Sequence, residues 1–164
     1  MGALDLSRRL VLGALVAAPA VPVTASAAED EVRAALMAFL KAFADCDLPR
    51  MEAAFAPDAN CFDRTVMSAR GATGLRLDDW RRIAGMPPGM RKLAQTLPAT
   101  QPGPPYQSLD PQDLLVQATA DMALCTFHLV SQHVLCRRTI VMARRGGAWK
   151  ILHIHASNVD DTPA

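Results

Sequence analysis

Charge is scarce in this chain, at 20% of residues, and no more than two basic residues occur in succession. A nucleic-acid binder needs a basic stripe to neutralise phosphates, so that class is excluded. The four cysteines, Cys46, Cys61, Cys125 and Cys136, form no C-x-x-C pair. A zinc ribbon and a thioredoxin-like centre are therefore excluded too. Their spacing does not choose among the three ways of pairing four cysteines, and burial as small apolar residues is the simpler expectation. Aromatics are few, with a single tyrosine, Tyr106. No motif for a cofactor is present, and none is expected.

Half of the 164 residues are apolar, which suits one packed domain. The first 27 residues have the pattern of a removable signal. Arg8 and Arg9 precede an uncharged run from Leu10 to Ala20, and Ala25-Ser26-Ala27 fits a small-residue cleavage site. The run is too short, and too interrupted by Pro19 and Pro22, for a membrane span. Ser7-Arg8-Arg9-Leu10-Val11-Leu12 is similar to a twin-arginine signal. The expected organisation is thus a signal peptide over 1–27 and one domain over 28–164, exported to the periplasm or the medium. Cleavage would remove Asp5, Arg8 and Arg9, leaving a body with equal numbers of acidic and basic residues and no membrane attachment.

Apolar residues Val32, Leu36, Phe39, Leu40 and Phe43 recur at helical steps, predicting a helix over 29–44. Asp47 is placed to cap a short second helix, with Pro49 early in it and Met51, Ala54 and Phe55 turned inward. A short strand is predicted over 59–63, a weaker one over 65–69 and a helix over 77–83. Residues 85–106 hold six of the twelve prolines and are expected to be a long irregular connection. Four strands follow, over 114–119, 122–130, 134–143 and 148–157. Their turns fall at 120–121, 131–133 and 144–147, the last carrying the hairpin pair Gly146-Gly147. Helices followed by an antiparallel meander define an α+β domain.

This element order, closing on Trp149-x-x-x-His153-x-His155-x-Ser157, resembles the nuclear transport factor 2-like superfamily. Within it, the sequence is similar to SnoaL-like members and to the association domain of calcium/calmodulin-dependent kinase II. The resemblance covers about residues 29–159. It implies a conical fold, in which N-terminal helices pack inside a strongly curved antiparallel sheet, with a pocket at the open end. It also implies a homodimer, often formed through the sheet.

Alternate strand residues share a face. Trp149, Ile151, His153 and His155 are therefore grouped, opposite Lys150, Leu152, Ile154 and Ala156. Lys150 seeks water, which turns the histidines into the cone. Pairing Ala143 with Ala148, and Cys136 with His128, extends the inner face to Met122, Leu124, Thr126, His128, Cys136, Arg138, Ile140 and Met142. A single bulge would turn part of it over.

Four readings follow. In the first, the pocket binds a small, partly apolar, anionic molecule through Arg138, His128, His153 and His155, with Trp149 and Trp80 as walls. In the second, His153 or His155 moves a proton with Asp63 or Asp58, as in the isomerases and cyclases of the resembled family. Such isomerases use a phenol, and the only one here is in the proline-rich connection. In the third, His128, His153 and His155 hold a metal, but no acidic ligand is placed beside them and no metal is expected. In the fourth, the histidines stitch the structure through Ser157, Asp63 or backbone. The first reading is preferred, with an acid–base enzyme and a homo-oligomeric assembly module as alternatives.

Overall fold

A computed structural model describes residues 25–62, 82–131 and 134–160. The expected strand over 65–69, the start of the helix over 77–83, and Asp63 and Trp80 lie outside the described residues.

Helix α1 spans Ala25–Ala44. Val32, Leu36, Phe39 and Leu40 are buried along one face of it, as their spacing requires, and Phe43 is half-buried. Burying side chains of this size contributes roughly 1.5–3 kcal/mol each, which is why this face stays against the sheet. The helix begins before the expected Glu29, since nothing in Ala25 to Ala28 opposes helix. Cys46 leaves it with a positive φ of 55°, and the chain turns into α2, Leu48–Ala53. The Asp47 carboxylate accepts a hydrogen bond from the Arg50 backbone N–H, capping α2 with Pro49 in its first turn.

Strands β1 (Asn60–Phe62) and β2 (Arg82–Ala84) form a small antiparallel pair. Arg82 and Ile83, expected to close a helix, are extended instead because they pair with β1. The proline-rich connection also departs from expectation. It contains α3, Pro88–Thr96, followed by a short 3₁₀ turn, Leu97–Ala99. Pro88 starts α3, where a missing N–H costs nothing. Met90, Leu93, Ala94 and Leu97 then repeat at helical spacing, the signal that the six prolines masked.

The remaining strands form one antiparallel sheet in the order β3 (Gln112–Ala118), β4 (Met122–Ser131), β5 (Val134–Arg145), β6 (Ala148–Asp160). Sheet and helices make the expected α+β cone. Gly146 and Gly147 take φ of 59° and 81°, the left-handed pair a two-residue hairpin turn demands. Phe55 bridges to Ile151, and β1 lies against β6, so the small pair borders that edge. Among the described residues, no helix is long and apolar enough to cross a membrane.

Two registers reverse the expected faces. Strand β4 closes on β5 with Ser131 opposite Val134, so Phe127 faces Arg138 and Cys125 faces Ile140. This is one residue away from the expected pairing of Cys136 with His128. A one-residue slip moves every side chain to the other side. Ala123, Cys125 and Phe127 therefore face the core, while Met122, Leu124, Thr126 and His128 face outward. In β6, Val141 pairs with His153 but Met142 pairs with Ile151, leaving Leu152 as an extra residue. This bulge turns over the rest of the strand. Trp149 and Ile151 remain inside as expected. Beyond the bulge, Ile154 opposite Ile140 and Ala156 opposite Arg138 take the inner face, and His153 and His155 take the outer one.

Candidate functional site

A cavity of about 230 Å³ lies between the helices and the inner face of the sheet. Helix α1 contributes Phe39, Leu40 and Phe43, and α3 contributes Gly89, Met90 and Leu93. The sheet contributes Phe127, Leu129, Arg138, Ile140, Ile154 and Ala156. Leu109 closes one side. Its loop is tied to the end of α1 by the Tyr106 N–H on the Ala44 carbonyl, at 2.7 Å, and by the Gln107 side-chain amide on the Phe43 carbonyl, at 3.1 Å.

Arg138 is the one charged side chain among the described lining residues. Its Nη1 donates to the carbonyls of Arg137 and Ser157 and to Asn158 Oδ1, at 3.0–3.3 Å. No carboxylate pairs with it among the described residues. Strand β5 places it on the inner side, where the hairpin argument put it.

The histidines are elsewhere. His155 is exposed on the outer face, opposite Thr139. His153 turns to the sheet edge, its Nδ1 sitting 2.5 Å from the Asn60 carbonyl, so it joins β6 to β1. His128 lies on the outer face, 3.9 Å from Asp113 at the β3 bulge. None of the three lines the cavity, and among the described residues no group of histidine, cysteine or carboxylate side chains could hold a metal. The inward placement of His128, His153 and His155 is thus corrected: the slipped hairpin moves the first, and the Leu152 bulge the other two.

Trp149, expected as a pocket wall, is buried but is not among the described residues that line the cavity. Its Nε1 donates to Glu31 at 3.1 Å, and the Arg144 guanidinium stacks 4.7 Å from its ring centroid while also bonding Glu31. Arg144 is therefore half-buried. Asp58, one of the acid–base candidates, is bound to Arg145 at 2.8 Å. That hydrogen bond holds its carboxyl below the usual carboxylate range. The four cysteines are free thiols. Burial pushes Cys125 up to about 11 and also raises Cys61, so neither is a nucleophile at neutral pH.

Sequence reasoning missed Phe127, Ile154 and the whole α3 wall. The α3 signal was available in the spacing from Met90 to Leu97. The other two depended on register.

The fold and cavity define a class: a cone-shaped α+β domain that opens on one apolar chamber. Within that class, the chain belongs to the SnoaL-like domain family, whose profile matches residues 32–161. Among curated proteins none matches. Solved structures share the fold. A nuclear transport factor 2-like protein of unknown function from Pseudomonas putida has 24% identity and a TM-score of 0.58, covering 80% of this chain and 87% of its own. The calcium/calmodulin-dependent kinase II hub homology domain of Chlamydomonas reinhardtii has 20% identity and a TM-score of 0.54, covering 80% and 98%. A putative ketosteroid isomerase from Parabacteroides distasonis has 20% identity and a TM-score of 0.50, covering 78% and 85%.

Proposed function

We propose that this protein binds a small, largely apolar molecule in the cone cavity without transforming it. One observation carries the reading. The described lining is apolar except for Arg138, and it includes no imidazole, carboxylate or phenol. An apolar chamber with one fixed polar group suits orientation of a ligand. Acid–base catalysis needs a titrating group within hydrogen-bond reach of the reacting atom. Arginine stays protonated at any working pH and cannot take that role. The isomerase alternative would need such a group on the chamber wall.

The reading includes export through the 1–27 signal and a homodimer through the outer face of the sheet. The dimer is supported by Leu115, Met122, Val130 and Leu135, apolar side chains of that face left 41–65% exposed. Native mass spectrometry of protein taken from the periplasm of an exporting host tests the proposal. The expected species begins at Ala28 and carries about one organic molecule per chain. Ala156→Trp, at the cavity mouth, should remove that molecule. Protein that arrives empty, and takes up no apolar compound offered to it, would overturn the reading.

A further inference from the structure

The cavity has a direction. On β5, Ile140 is 2% exposed while Arg138, two residues earlier, is half-buried. On the antiparallel β6, Ile154 is 9% exposed and Ala156, two residues later, is exposed. Phe39, Leu40 and Phe127 are buried, whereas Gly89 and Leu93 are exposed. The floor is thus Phe39, Leu40, Phe127 and Ile140. The mouth is framed by Arg138, Ala156, Gly89 and Leu93. The charge sits at the mouth.

Among the described residues, the floor offers no side-chain donor or acceptor. A hydroxyl or second charge carried to that depth would lose its water without a partner. Sugars, polyols and diacids therefore do not fit.

Arg138 is partly committed. Its three hydrogen bonds all leave from Nη1, and they fix the guanidinium plane against the sheet. Among the described residues, no acceptor is bonded to Nε or Nη2. Those two groups form an edge of the fork that takes a carboxylate in two parallel hydrogen bonds. An arginine held in place, half-buried and without a carboxylate partner among the described residues, favours an anion. Size follows from volume. At about 230 Å³ the cavity lies at the small end of ligand pockets, which limits the ligand to a small molecule.

We infer that the ligand is a small amphiphilic monocarboxylate, its acid group held at the mouth by Arg138 and its unsubstituted body lying on the apolar floor. This rests on the cavity being a ligand site, and adds the chemistry, the size and the direction of entry.

Isothermal titration of the purified full chain with octanoate, 1-octanol and octyl phosphate tests it. Octanoate should bind once per chain, at least about tenfold tighter than octanol, as a charge-assisted contact requires. Arg138→Gln should erase that preference and leave octanol binding in place. Ala156→Trp is an exposed change that spares the core, and it should block both ligands while circular dichroism stays unchanged. Equal affinity for octanoate and octanol would overturn the carboxylate assignment and leave the cavity as an apolar site. Tighter binding of octyl phosphate would replace carboxylate by phosphate. Octanoate binding that survives Ala156→Trp or keeps its preference in Arg138→Gln would place the ligand elsewhere. Failure of all three compounds would remove the cavity reading itself.

Discussion

Glu31 shows how one surface carboxylate can hold a helix to two strands. It accepts hydrogen bonds from Trp149 Nε1 and from Arg144, which also stacks on the Trp149 ring. Helix α1 is thereby joined to β5 and β6. The Trp149 hydrogen bond, followed by that of Arg144, holds the Glu31 carboxyl below the ordinary glutamate range. In the unfolded chain the group titrates near about pH 4.3. Its folded value is lower, so its stabilisation is complete above that range and disappears as pH falls through the folded value. Asp58, bonded to Arg145, has the same sign. Urea midpoints measured from neutral to acidic pH should therefore fall below about pH 4.3. Glu31→Gln should flatten part of that fall and leave the part due to Asp58. A fall equally steep in both proteins would show that Glu31 does not contribute.

At the level of elements, the hairpin between β5 and β6 sets the register that turns Trp149 and Ile151 inward, ahead of the bulge at Leu152. Gly146 and Gly147 both hold positive φ. A β-branched residue there is strained by about 1–3 kcal/mol, whereas asparagine tolerates the first position. Gly146→Val should lower the thermal midpoint, and Gly146→Asn should leave it close to wild type. Equal melting of the two would remove the turn from the account. Elements of this kind were largely legible: the α1 face from Val32 to Phe43, the Asp47 cap, the Gly-Gly turn and four of the strands follow from period and turn chemistry. Helix α3 was hidden only because prolines were read as breakers, although Pro88 is a starter. The bulge at Leu152 carried no sequence sign. Leu-His-Ile-His alternates as a regular strand would, and only pairing with Val141 and Met142 shows that it does not.

For the whole molecule, His128 and His155 share the outer face of the sheet with the exposed Leu115, Met122, Val130 and Leu135. Val130 is 65% exposed and Leu115 54% exposed, so charging them leaves the core untouched. If that face joins two copies, the double variant Val130→Lys, Leu115→Lys should sediment as a monomer, with a thermal midpoint near that of the isolated wild-type chain. A dimer that persists would place the interface elsewhere. The sequence by itself determined the class of fold, the order of the elements, the buried side of α1 and the inward position of Arg138. These depend on periodicities of 3.6 and 2 and on local turn chemistry. Tertiary structure alone decided which face the histidines occupy and that Phe127 and Ile154 line the cavity. A strand has two faces one residue apart, and only its neighbours choose between them.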